Sequence, residues 1–191
     1  DIPKDVTANK TEYVPEKITP VQPSEDICRE DLDHALAMIR ESRKPYIFVG
    51  GGAVLSGASK ELYEFVKKVD APVTDSLMGK GAFPGTDDLY TGMLGMHGTK
   101  TSNYGVSECD LLIVLGARFS DRVTGNAKKF ASHAKILQFD VDAAEVNKNI
   151  HTDASVIGDA AEILKRVNAK LEQSEHTEWM EHIKNYEEKF P

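Results

Sequence analysis

The chain has 191 residues, 40% of them hydrophobic and 28% charged, the make-up of one large globular domain or two small ones. A domain of this length buries roughly 70% of its unfolded surface and needs no disulfide or metal staple; the composition excludes collagen, a coiled coil, a disulfide scaffold and a disordered chain. Lys and Arg number 23 against 31 Asp and Glu, and the net charge of −8 argues against general nucleic-acid binding, which needs a basic field. No window approaches the ~18 uninterrupted apolar residues of a membrane span. A phosphate ligand stays open, because backbone amides and a few local arginines can hold one.

Residues 1 to 23 carry four of the eight prolines and no apolar periodicity, so they read as an extended linker. Ser24 is the expected cap of a first helix, with Glu25 and Asp26 suited to its positive end. Cys28, Leu32, Ala35, Leu36 and Ile39 keep the 3–4 spacing of a buried face, and Pro45 ends that helix. Tyr46-Ile47-Phe48-Val49 reads as a buried strand running into a tight turn at Gly50-Gly51-Gly52. Ala58, Leu62, Phe65, Val66 and Val69 define a second amphipathic helix, and residues 71 to 74 a short strand. Residues 79 to 98 read as a long glycine-rich loop and 99 to 108 as a helix. Leu111-Leu112-Ile113-Val114-Leu115 is the most strand-like run in the chain. Residues 135 to 141 and 155 to 158 are further strands, and 159 to 171 a helix. After Gln173 the chain is polar, with Trp179, Ile183, Tyr186 and Phe190 at helical spacing, and reads as a helix leading onward.

Strand alternating with helix predicts an α/β fold: a doubly wound, mostly parallel sheet of five or six strands with helices on both faces, Rossmann-like. The two cysteines, Cys28 and Cys109, belong to no CxxC or Cys/His cluster and read as buried free thiols of a cytoplasmic protein. Asp1 in place of Met, and a close at Phe190-Pro191, read as a piece processed or cut from a longer chain.

In an open α/β sheet, ligands lie beyond the carboxyl ends of the strands. Those ends carry Gly50-Gly51-Gly52, then Asp75-Ser76-Leu77-Met78-Gly79, then residues 92 to 98, 116 to 125, 140 to 142 and 158 to 160. Five of these six segments contain glycine, which lets backbone approach a ligand closely. The segment 116 to 125 adds Arg118 and Arg122, and Asp140 is an acid able to accept from ribose or adenine groups. The set suits a long, phosphorylated, adenine-containing ligand. Blander readings stand beside it. Leu55 occupies the third glycine position of a GxGxxG pattern, so the triple glycine alone is a weak signal. His97 also fits a loop histidine, Met93 and Met96 core filler, Arg118 and Arg122 a surface pair on Asp121, and Asp140 and Asp142 helix caps. No metal cluster, P-loop or nucleophile elbow is present, so no catalytic residue and no metal ligand is assigned.

Gly-Met-Leu-Gly-Met-His-Gly (92–98), residues 116 to 125 and, upstream, Pro-Val-Thr-Asp-Ser-Leu-Met-Gly-Lys-Gly (72–81) resemble the central domain of the acetohydroxyacid synthase (acetolactate synthase) large catalytic subunit. The likeness runs from about residue 1 to 172 in order and spacing; Ser120 stands where many members have Asp. It implies residues 1–23 as a linker from an N-terminal domain, 24–172 as the central FAD-binding domain and 173–191 as a linker towards a C-terminal domain. The family's enzyme condenses two 2-oxo acids, pyruvate with pyruvate or 2-oxobutanoate, on thiamine diphosphate with magnesium, for branched-chain amino acid biosynthesis. Those two cofactors belong to the other domains, so this chain alone is expected to be inactive. The resemblance implies FAD contacts at Gly50, Gly51 and Gly52; Ser76 and Leu77; Leu94, Gly95, Met96 and His97; Gly116, Ala117, Arg118, Ser120, Arg122 and Val123; Asp140 and Val141; and Asp159 and Ala160. Implied partners are the remaining domains of the subunit, further subunits of a homo-oligomer and a regulatory subunit, with neither nucleic acid nor membrane. The alternatives are a stand-alone flavin- or NAD-dependent oxidoreductase, for which only His97 could serve near the ring, and a ligand-free oligomerisation module.

Overall fold

The computed structural model describes residues 4–10, 12 and 26–190 of the chain. In chain order these form α1 (Lys4–Ala8), α2 (Arg29–Glu41), β1 (Pro45–Val49), α3 (Gly51–Leu55), α4 (Ser59–Val69), β2 (Val73–Asp75), β3 (Tyr90–Met93), α5 (Lys100–Glu108), β4 (Leu111–Leu115), α6 (Asp121–Thr124), β5 (Lys135–Asp140), β6 (Ala154–Ile157), α7 (Ala160–Asn168) and α8 (Thr177–Lys189). The six strands form one sheet in the order β3-β2-β1-β4-β5-β6, and every neighbouring pair is parallel. This is the doubly wound order, whose direction reverses between β1 and β4 and opens a crevice at their carboxyl ends. No helix among the described residues is long and apolar enough to cross a membrane.

The two central strands explain the sheet. β1 and β4 pair without interruption from Pro45↔Leu111 to Val49↔Leu115, and all residues of both are buried. Because successive side chains point to opposite faces, a strand that is apolar throughout must be covered on both. Ile47, Val49, Ile113 and Leu115 pack with Leu36, Phe65 and Leu164 from α2, α4 and α7. Tyr46, Phe48, Leu112 and Val114 pack with Val106 of α5 and with Trp179 and Ile183 of α8. Trp179 is 3% exposed and its indole N–H donates to the Pro45 carbonyl at 2.9 Å. The polar segment after Gln173 thus supplies part of the second core.

The structure corrects several expectations. The first long helix starts at Arg29, and residues 26 to 28 ahead of it are not helical; Ser24 lies outside the described residues. Most of the expected extended segment 1–23 also lies outside them, while Lys4–Ala8 within it is a short helix with no buried residue. The strand expected at 71 to 74 is Val73–Asp75. Gly50-Gly51-Gly52 is no free turn, for Gly51 and Gly52 already belong to α3.

The largest correction is β3, an edge strand inside the expected loop 79 to 98. Its sequence Tyr-Thr-Gly-Met has no strand periodicity, and side-chain hydrogen bonds hold it. The Thr91 hydroxyl donates to the Val73 carbonyl at 3.0 Å and lies 2.7 Å from the Tyr46 hydroxyl. Ser102 and Thr99 donate to the Thr91 carbonyl at 2.9 and 2.6 Å.

Only one cysteine is buried. Cys28 is exposed ahead of α2, whereas Cys109 is 1% exposed, and burial pushes its thiol up to about 12. The thiolate is the reactive form. The native protein is therefore expected to release one equivalent of chromophore from an aromatic disulfide reagent at pH 8, and a second only in denaturant. Two fast equivalents would contradict this placement of Cys109.

Candidate functional site

A groove of about 440 Å³ lies beyond the carboxyl ends of β1 and β4, where the strand order predicts a ligand. Its floor is backbone against backbone. The Gly50 N–H donates to the Leu115 carbonyl at 2.8 Å, and the Gly52 N–H to the Gly116 carbonyl at 3.0 Å. A Cβ on Gly50 would fall on the Gly116 carbonyl oxygen, and one on Gly52 would lie 2.8 Å from the Gly116 Cα. Gly116 itself has φ +56°, a left-handed conformation natural to glycine. The turn after β1 and the turn after β4 can meet only because neither carries a side chain there.

The wall after β4 is sorted by burial. Phe119 adopts φ +51°, costly for a bulky residue, and its ring turns inward to Phe48 and Phe130, with centroids 6.4 and 6.0 Å apart. Its neighbours Arg118 and Ser120 are left exposed on the groove side. Among the described residues neither Arg118 nor Arg122 makes a side-chain hydrogen bond or ion pair. Asp121 accepts instead from the Arg122 backbone N–H at 2.9 Å, so the surface pair on Asp121 does not form. The opposite wall is Ser76, Leu77 and Met78, and the end wall Met93, Leu94 and His97. Gly95 has φ +98° and no room for a Cβ against the Arg122 carbonyl; Met96 donates its N–H to that carbonyl at 2.8 Å. The segments 94 to 98 and 121 to 124 are thus one unit.

Of the residues singled out from the sequence, Gly51, Gly52, Ser76, Leu77, Leu94, His97, Gly116, Ala117, Arg118, Ser120, Arg122 and Val123 line this groove. Gly50 and Gly95 lie beneath it as packing contacts. Met96 is 72% exposed, which removes the core-filler reading for it. Asp140, Val141, Asp159 and Ala160 are not part of the groove wall; they stand at the ends of β5 and β6, the two outer strands on that side. Asp142 caps the short turn Ala143–Glu145 through the Ala144 N–H. Asp159 caps α7 through the N–H groups of Ala161 and Glu162.

Of the apolar rim the sequence reading named Leu77 as a contact but not Leu55 or Met78. Leu55 is 91% exposed, Met78 74% and Leu77 70%, and all three line the groove. It also missed Glu145. One oxygen of that carboxylate takes the Lys148 ammonium at 2.7 Å, and the other, Oε2, is buried without a hydrogen-bond partner, three positions after the Asp142 cap. Asp75, at the end of β2, is buried, which raises its pKa although the Tyr90 hydroxyl donates to it at 2.8 Å and Lys80 stands 3.6 Å away.

A second groove, about 480 Å³, lies between α8 and the starts of β2 and β3, with Asp70, Asp88, Glu181 and Glu187 in its walls. That lining repels a phosphate. No group of three or more His, Cys, Asp or Glu among the described residues is placed to hold a metal ion.

The fold defines a doubly wound, Rossmann-like α/β domain with a groove at the switch point of its sheet. Residues 32–167 match the family described as thiamine pyrophosphate enzyme, central domain, and the chain belongs to that family. It is 47% identical over 155 residues to a probable acetolactate synthase large subunit of Methanocaldococcus jannaschii, covering 80% of this chain and 26% of that protein. It is 40% identical over 200 residues to the acetolactate synthase large subunit of Parasynechococcus marenigrum, covering 100% and 32%, and 39% identical over 202 residues to that of Pyropia yezoensis, covering 100% and 34%. The chain spans about a quarter to a third of the length of these curated relatives.

The contact between the two turns gives a direct test. Gly50 has φ −107°, which any residue adopts, so Gly50→Ala acts through collision and not backbone strain. It is expected to cost about 1–3 kcal/mol, the usual price of overpacking, read as a lower urea midpoint. An unchanged midpoint would show that the turns can part freely.

Proposed function

We propose that this chain is the central, FAD-binding domain of an acetolactate synthase large subunit. The observation that carries the FAD reading is the pair of guanidinium groups, Arg118 and Arg122, unpartnered among the described residues, beside a side-chain-free backbone turn at the sheet's switch point. In a molecule of net charge −8 a diphosphate needs local cations, and Arg118 and Arg122 supply them. The exposed side chains of Leu55, Leu77 and Met78 offer apolar surface to a flat ring. By the family resemblance, bound flavin gives the subunit structure, and condensation of 2-oxo acids belongs to domains carrying thiamine diphosphate and magnesium. The work of this chain's own residues is to bind and orient. The glycine turn brings backbone to the phosphates, the arginines balance their charge, and the apolar rim excludes water.

Two measurements test the reading. Charge-assisted hydrogen bonds are worth about 1.5–3 kcal/mol, so Arg118→Ala is expected to weaken FAD binding about 10- to 100-fold in isothermal titration. Arg118→Lys is expected to recover only part, because an ammonium lacks the guanidinium fork. Equal affinities would remove Arg118 from the site, and no binding by the unaltered chain would remove the FAD reading. In a separate assay, the chain alone is expected to form no acetolactate from pyruvate with thiamine diphosphate and magnesium supplied. Product above a blank would place the chemistry in this domain after all.

A further inference from the structure

α3 begins at the glycine turn and buries only one side chain, Ala53. So short a helix depends on its surroundings, because most helical stability comes from tertiary contacts. On the sheet side it is held by the Gly52 N–H on the Gly116 carbonyl. At its other end stands Ser56, a residue the sequence does not mark. The Ser56 hydroxyl donates to Asp159 Oδ1 at 2.8 Å and accepts from the Ala161 N–H at 2.9 Å. Asp159 Oδ1 meanwhile accepts from the N–H groups of Ala161 and Glu162 at 3.0 and 3.2 Å. Ser56 is therefore built into the cap of α7, 103 residues away in sequence. Its own N–H reaches back to the Gly52 carbonyl at 3.0 Å, and the next N–H, that of Gly57, to the Val54 carbonyl at 3.0 Å, so the serine closes one helix with its backbone and opens another with its side chain.

We propose that Ser56 is a positioning residue for the cofactor groove: it locks the glycine turn after β1 to the turn after β6. Its hydroxyl makes the two turns one rigid rim, and the turn after β1 reaches a ligand already placed. The consequence for binding rests on the FAD reading above; the mechanical link does not. The geometry also separates two roles for Asp159. Its side chain is committed to the cap and to Ser56, so it shapes the rim through these bonds.

The test compares the unaltered chain with Ser56→Ala and Ser56→Thr. In ligand-free protein, amide hydrogen exchange at residues 51 to 56 and 159 to 162 is expected to speed about three- to tenfold in Ser56→Ala, the range of one lost neutral hydrogen bond, with residues 111 to 115 of β4 unchanged. Ser56→Thr keeps the hydroxyl and is expected to exchange like the unaltered chain. Unchanged exchange at both turns would overturn the proposal. So would equal acceleration in β4, which would mark Ser56 as a residue of general stability. In FAD titrations Ser56→Ala is expected to bind about three- to tenfold more weakly and Ser56→Thr normally; equal affinities would overturn the positioning role. If the unaltered chain takes up no FAD, the FAD reading falls, and the exchange data still decide the link.

Discussion

The close approach of the turns after β1 and β4 is the constraint on which the site depends. Three glycines make it. Gly50 and Gly52 bring bare backbone onto Gly116, and the hydrogen bonds from Gly50 to Leu115 and from Gly52 to Gly116 continue the strand pairing past the strand ends. The crevice of a doubly wound sheet opens where the two central strands diverge to opposite sides. Here the divergence begins only after the turns have been stitched together, so the groove has a backbone floor. Side chains then enter it from the walls alone.

That floor also sets the electrostatics. A backbone surface brings no carboxylates, and the acidic residues that produce the net charge of −8 lie elsewhere. Four of them gather at the opposite edge of the sheet around the other groove. The separation leaves Arg118 and Arg122 without ion-pair partners among the described residues. The strained, inward-turned Phe119 between them fixes which way the flanking side chains face. A left-handed phenylalanine costs free energy, and its ring contacts with Phe48 and Phe130 offset it.

The elements flanking the groove are short and weakly packed, and each is tied down by polar contacts to a distant part of the chain. β3 hangs on the hydroxyls of Thr91, Thr99 and Ser102. α3 hangs on Ser56, and the segment 94 to 98 on the Arg122 carbonyl. These bonds are local in space and remote in sequence, which lets a site sit on short segments without loosening the core beneath them.

Long periodic elements were legible in the amino-acid sequence because apolar spacing is a local property. The run 111 to 115 is β4 residue for residue, the helix expected at 99 to 108 differs from α5 by one position, and strand–helix alternation alone implied a parallel sheet. From that topology the strand ends could be named as the ligand edge before any contact was known. Only the tertiary structure decided the rest. The sequence of β3 has no periodicity, because an edge strand held by hydroxyls needs none. Cys28 sits in an apolar pattern yet is exposed, because the helix starts one residue after it. Leu55, which fails the third-glycine position, turns out to be a nearly bare hydrophobe on the groove rim. Ser56, Glu145 and the bond between the turns after β1 and β6 could not be read in advance. Each gains its meaning from partners brought beside it only when six strands fall into the order 3-2-1-4-5-6.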